Sequence, residues 1–231
     1  MQIKKISDRN IVFWTKEDAD GDVYMGVIFG VKHNFIIDTG IGRGCVDAML
    51  EYIGDDSKPI VVINTHHDWD HVVGNWVLEG NTIVAHKLCY ELMEKNWDMQ
   101  VKRAKEMGRY FAGEVRKCLP NLLFEGSMEF PEDGITLFHT PGHTEDSITV
   151  YDAVDKVLHA GDNFGIADGK AYYWGKQEDV ASFCDIIEAY KRFDFDIYVS
   201  GHCEPHGNEV IGFMEIAIAK MEKSLTTEYT E

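Results

Sequence analysis

Apolar residues in this chain come in short runs separated by polar turns, and the runs predict alternating strands and helices. Positions 11–14 read as a strand, followed by an acidic turn at 17–22. Positions 23–31 and 35–37 read as a hairpin turning through Lys32, His33 and Asn34. Gly40, Gly42 and Gly44 then loosen the chain, after which Val46, Met49, Leu50 and Ile53 recur at helical spacing up to Gly54. The unbroken apolar run at 60–63 predicts a buried strand, with a helix at 71–78 and a strand at 82–85 after it. Between 86 and 118, Leu88, Leu92, Met93, Trp97, Val101, Ala104 and Met107 recur mostly three or four apart, which predicts a helical insertion. Strands at 135–138, 147–151 and 156–160, a helix at 179–192, a strand at 197–199 and a helix at 208–224 complete the pattern. The order of elements in the first half returns in the second, and no Pro-, Gly- or Ser-rich linker divides them. One mixed α/β (α+β) domain over 1–231 is expected, its two halves each a sheet with helices outside, packed sheet to sheet.

Composition narrows the partners. With 22 Lys and Arg against 40 Asp and Glu, the net charge of −18 argues against a nucleic-acid backbone or an anionic membrane as partner. No apolar run approaches a membrane span. The first 16 residues mix charged with apolar side chains, unlike a signal peptide. Five scattered cysteines without C-x-x-C spacing read as reduced thiols. A cytoplasmic location is therefore expected. One basic stretch, with Lys102, Arg103, Lys105, Arg109, Arg116 and Lys117, interrupts the acidity. It reads either as a solvated helix face or as a lid over the segment that carries the chemistry, with Met and Trp touching substrate.

That segment is 64–71, Asn-Thr-His-His-Asp-Trp-Asp-His, directly after the buried strand 60–63. His66, Asp68, Asp70 and His71 put four metal-ligand side chains in six positions, at the carboxyl end of a strand where α/β proteins place their sites. Three later strands also end at a ligand type: Thr140-Pro141-Gly142-His143, Gly161-Asp162 and Ser200-Gly201-His202. In each, a glycine precedes the ligand and lets the backbone turn sharply.

In these four elements, and in the Asp38-Thr39-Gly40 turn, the chain resembles the metallo-β-lactamase fold superfamily over roughly residues 10–225. The resemblance implies an αββα sandwich with a two-metal site at one edge of the sheets. It implies one ion on His66, Asp68 and His143, a second on Asp70, His71 and His202, and Asp162 bridging the two. Asp70 would also accept a proton from the attacking water. The family commonly has His where this chain has Asp68. With a bridging hydroxide, two divalent ions and three aspartates sum to no net charge, one positive unit less than with His. Zinc is the expected ion by family, and the added carboxylate makes iron or manganese competitive. His67 would point away from His66 and Asp68 along an extended loop.

The expected activity is hydrolysis by a binuclear metal-dependent enzyme. Water activated by the metals would attack an ester, thioester, lactone or phosphodiester of a small molecule. The alternative is a diiron protein that binds or reduces oxygen or nitric oxide with a separate electron donor. A β-lactam target is not expected without an export signal, nor a glyoxalase II-like enzyme with so short a tail after His202. Tyr172, Tyr173 and Trp174, read as a loop after Asp162, together with His206, are candidates to wall a substrate pocket. The aromatic run reads equally well as a packed loop or a homodimer contact. Asp38 is expected to order the turn beside the site and to bond a ligating His. His139 and His159 are expected in the core or behind the ligands, Cys203 as a small buried thiol, and Trp69 as a packing anchor.

Overall fold

The computed structural model describes residues 1–15, 22–107, 115–174 and 180–228. A seven-stranded sheet runs in chain order through β1 (Gln2–Lys5), β2 (Asn10–Trp14), β3 (Tyr24–Phe29), β4 (Asn34–Ile37), β5 (Ile60–Ile63), β6 (Thr82–His86) and β7 (Leu122–Phe124). Strands β1 to β4 pair antiparallel, and β4 to β7 run parallel. Parallel pairs need crossovers, supplied by α1 (Arg43–Ile53), α2 (Trp69–Val72) with the 3-10 segment Val73–Leu78, and α3 (Lys87–Met107).

The second half adds β8 (Ser127–Phe130), β9 (Ile135–His139), β10 (Ile148–Asp152), β11 (Val157–His159), a separate hairpin of β12 (Phe164–Ala167) and β13 (Lys170–Tyr173), α4 (Val180–Tyr190), β14 (Ile197–Val199), β15 (His206–Gly207) and α5 (Val210–Glu228). Six of these strands form the second sheet, in the order β15-β14-β11-β10-β9-β8.

Strand alternation sorts the core into layers. On one face of the first sheet, Met25, Val27, Ile36 and Val62 pack against Cys45, Val46 and Met49 of α1. On its other face Ile28, Phe35, Ile37 and Ile63 meet Leu137, Ile148 and Val150 of the second sheet. The outer face of the second sheet packs Leu158 and Tyr198 against Phe183, Ile186 and Tyr190 of α4 and Val210, Met214 and Ile218 of α5. The result is helix, sheet, sheet, helix. Strands β4 and β5 carry apolar side chains on both faces because both faces are covered.

Several expectations need adjusting. The helix at 71–78 starts at Trp69 and is 3-10 from Val73. The helical insertion is helical from Lys87 to Met107; residues 115–118 are irregular, and Arg109 lies outside the described residues, as does most of the acidic turn at 17–22. Tyr172 and Tyr173 lie in the second strand of a hairpin rather than in a loop. That hairpin turns on Asp168-Gly169, both at positive φ, which matches the two-residue Asp-Gly turn. Among the described residues no helix is long and apolar enough to cross a membrane.

Candidate metal centre

The carboxyl ends of β4, β5, β11 and β14 meet at one edge of the sandwich, where backbone bonds tie their loops together. Asp38 N–H donates to the Ile63 carbonyl (2.9 Å), Thr39 N–H to His71 (2.7 Å) and Gly201 N–H to Gly161 (2.8 Å). Ile148 N–H donates to Thr65 (2.8 Å), so the second sheet holds the loop that follows β5.

On this frame the seven side chains singled out by sequence converge. His66, Asp68 and His143 offer ligand atoms within 4.8 Å of one another, as do Asp70, His71 and His202, and as do His66, His71 and Asp162. Asp162 Oδ2 stands at the middle, 3.6 Å from His66 Nε2, 3.4 Å from His71 Nε2, 3.8 Å from His143 Nε2 and 3.0 Å from His202 Nε2. Asp68 Oδ2 lies 3.2 Å from His143 Nε2, and Asp70 Oδ2 lies 3.3 Å from His202 Nε2. Gly201 is required by this approach. A Cβ there would overlap the Asp162 carboxylate and crowd the His71 ring at 2.9 Å.

The outer nitrogens of the imidazoles are held by the protein. Asp38 accepts from His71 Nδ1 (2.8 Å), from Thr65 N–H (2.8 Å) and from Thr65 Oγ1 (2.7 Å). Asp38 itself sits at φ 58, a left-handed conformation that Asp tolerates better than most residues. His66 Nδ1 donates to Thr65 Oγ1 (3.1 Å), His202 Nδ1 to the Asp22 carbonyl (2.8 Å) and His143 Nδ1 to the Trp174 carbonyl. Donating at Nδ1 leaves each Nε2 with a lone pair aimed at the centre, the arrangement in which imidazole binds a metal.

These residues fit divalent ions. Nε2 of His66, Nε2 of His71 and Oδ1 of Asp162 are buried and have no hydrogen-bond partner. Lone pairs and carboxylate oxygens facing one another in a buried space require positive charge between them. Without a metal, protons have to supply it. Burial lowers the His71 and His202 pKa values, but Asp162 and Asp70 override it and raise both well above the usual value. Burial likewise raises Asp68, Asp70 and Asp162, and the surrounding histidines outweigh it and hold all three carboxyls below the usual range.

A cleft of ≈390 Å³ opens over the centre, walled by Asp68, Trp69, Asp70, His143, Asp162, Trp174 and His202. Of the pocket candidates, Trp174 stands on this wall. Tyr173 packs against Phe183 in the core beneath α4 (ring centroids 5.2 Å), Tyr172 is exposed, and His206 pairs in β15 opposite Tyr198. His67 bonds buried Asp146 through Nδ1 (2.9 Å) and stands outside the three ligand groups, its Nε2 3.7 Å from Asp68 Oδ1. His159 is buried on Asn10, with burial pushing its pKa down to about 4, and His139 stacks on His86. Cys203 is partly exposed rather than buried. Met93 is buried with Val72, Ala85 and Cys89, with Trp97 packed against them.

Three supports have no motif. Asn163 accepts from His143 N–H (3.0 Å) and donates to the Thr140 carbonyl (2.9 Å), which fixes the Thr-Pro-Gly-His turn. Asn64 and Asn75 exchange two side-chain bonds (3.0 and 2.8 Å), and Thr39 joins them, clamping the 3-10 segment behind the ligand loop. Asp146 anchors His67. A buried Asn in a chain is unremarkable by type; the position of Asn163 next to Asp162 was the one available hint.

Among curated proteins, the chain is 24% identical over 227 residues to the acyl-coenzyme A thioesterase MBLAC2 of Bos taurus, and 23% identical to that of Homo sapiens. Each alignment covers 86% of this chain and 80% of the relative. Among solved structures, TMB-1 superposes with a TM-score of 0.74 at 17% identity, covering 96% of this chain and 98% of that one. The DIM-1 metallo-β-lactamase exposed to ceftazidime gives 0.74 at 16% identity, covering 96% and 97%. Such distant likenesses carry the fold. The family assignment rests on the sequence model of the metallo-beta-lactamase superfamily, which matches residues 19–202. That span holds the whole cluster from His66 to His202, and the chain belongs to the metallo-β-lactamase superfamily.

Proposed function

We propose that this metallo-β-lactamase superfamily hydrolase cleaves the thioester of a small acyl-thiol substrate at a centre of two divalent ions. The observation that carries the reading is the name shared by the curated relatives, acyl-coenzyme A thioesterase, beside seven His and Asp side chains here that could hold metal ions. His66, Asp68 and His143 would hold one ion, Asp70, His71 and His202 the other, with Asp162 between them. When bound, such ions bring the pKa of water toward neutrality and polarise a carbonyl.

The chain's own residues supply the rest. Asp70, kept ionised by His71 and His202, is the proton acceptor on the cleft wall. Asp38 holds the His71 ring in the tautomer that presents Nε2. Trp69 and Trp174 narrow the cleft and limit bulk water around the reacting carbonyl. Water oxygen bonds to the acyl carbon, the carbon–sulfur bond breaks, and the water's proton passes through Asp70 to the departing thiolate. The products are a thiol and a carboxylic acid, which gives its proton to solvent and leaves as the carboxylate.

Asp68 makes the donor set harder than one with His, so manganese and ferrous iron join zinc as candidates for occupancy. The diiron alternative, with oxygen or nitric oxide as ligand, draws on Asp68 alone. A substrate panel tests the reading. Metal-loaded protein is expected to release thiol from acyl-CoA thioesters with a kcat/KM at least about tenfold above that for matched oxygen esters, lactones and bis-p-nitrophenyl phosphate. A preference for any of the others would overturn it.

A further inference from the structure

The cleft over the centre has a neighbour across His143. On the far side of that ring lies a second hollow of ≈400 Å³, walled by His67, Leu92, Pro141, Thr144, Glu145 and Ser182 as well as His143. Pro141 and Ser182 in turn border a third, ≈110 Å³, that reaches Asp185, Ile186 and Ala189 of α4. His143 is common to the first two hollows, and Pro141 and Ser182 to the last two. The three therefore lie in series, leading from the metal centre along the turn 139–145 to the middle of α4.

The walls of this series are preorganised. His67 is fixed by buried Asp146, and the turn that carries Pro141 and His143 is fixed by Asn163. Leu92, Pro141, Ile186 and Ala189 give an apolar lining, while Glu145 and Asp185 stand exposed at its rim. Carboxylates at the rim repel phosphates and other anions. A thioester has two arms, and in a coenzyme A thioester the thiol-side arm ends in phosphates. The acyl arm is the neutral, apolar one.

On the thioesterase reading given above, we infer that the hollows running from His143 past Pro141 and Ser182 to Ala189 hold the acyl chain of the substrate. The groove sets a preference for chain length, with Ser182 and Ala189 at successive depths.

The test uses the metal-loaded full chain and a series of saturated acyl-CoA thioesters from acetyl to dodecanoyl, followed by thiol release. A groove open on one side covers about half of each methylene, so kcat/KM should rise about twofold per added carbon until the groove is full. Ser182→Trp should lower the octanoyl-to-acetyl ratio of kcat/KM by about tenfold or more. Ala189→Trp should lower the dodecanoyl-to-octanoyl ratio and leave the octanoyl-to-acetyl ratio nearly as in the wild type. Metal content measured alongside guards against misfolded variants, and two variants at different depths keep the test open should one fail to fold. A wild-type enzyme indifferent to chain length, or both ratios unmoved, would overturn the inference. So would a Ser182→Trp variant that loses the same factor on every chain length, which would put the thiol-side arm in the groove. Absence of turnover on every thioester would instead overturn the thioesterase reading itself.

Discussion

At the edge of the sandwich where β4 begins, Asp152 takes the Arg9 guanidinium on both carboxylate oxygens and adds bonds from Asn10 (2.8 Å) and Val154 N–H (2.9 Å). Asp133 there accepts from Lys32 N–H (2.7 Å) and from the His33 ring (2.8 Å), and Asp155 from Ser7 (2.6 Å) and Arg9 N–H (2.9 Å). At the edge where β4 ends, Asp162 is just as buried, but one of its oxygens and the inner nitrogens of His66 and His71 have no partner. One edge pairs its buried acids with the protein's own cations and N–H groups. The other gathers more acceptors than its donors can satisfy, and points the excess at a single small volume. Buried polar groups alone do not mark a site; an uncompensated excess of one sign does.

Breaking each edge should give different symptoms. Asp162→Ala removes a carboxylate that lies 3.0–3.8 Å from four imidazoles. Metal analysis should find occupancy of both positions well under half that of the wild type, and kcat/KM should fall by about a thousandfold, or about 4 kcal/mol of barrier. Full occupancy by two ions would contradict the proposal that Asp162 serves both. Arg9→Ala strands Asp152 without its cation in a buried setting, which costs about 3 kcal/mol. Calorimetry should show Tm falling by roughly 6–12 °C, with metal content per folded chain unchanged. A loss of metal without a loss of Tm would blur the distinction between the two edges.

The smallest effect is a pH dependence at the paired edge. Burial raises the Asp133 pKa, but the His33 ring and the N–H groups of Lys32 and His33 outweigh it and hold the carboxyl below its usual value. A carboxyl depressed on folding contributes stability above its unfolded pKa of about 3.9, and that contribution is lost as pH falls through the folded value. Asp133→Asn should therefore cost about 1 kcal/mol at neutral pH, with the gap to wild type closing in acid below about pH 4. A gap that persists or widens in acid would show that the carboxylate charge is not what matters there.

Much of this was legible in the sequence, unevenly. The buried strands β4, β5 and β14 announced themselves as apolar runs, and each strand-end motif placed its ligand at the right edge. Short strands at the sheet margins did not: β1 is exposed throughout, and β7 and β8 bury little, so their sequences lack a buried face to pattern them. The β12–β13 hairpin carried its Asp168-Gly169 signal, but the aromatic run after it read as a loop. Asn163, Asp146 and the Asn64–Asn75 pair act across the fold rather than along the chain. Their roles emerge only when the loops are brought together.

The central claim is that the excess of acceptors at one edge exists to hold two catalytic ions. The most direct measurement is a metal titration of the chelator-stripped protein, with thiol release from an acyl-CoA thioester as readout. Activity near zero without metal, rising to a plateau at two equivalents of manganese, zinc or ferrous iron per chain, is the predicted result. Undiminished turnover by the stripped protein, or a plateau at one equivalent, would contradict it.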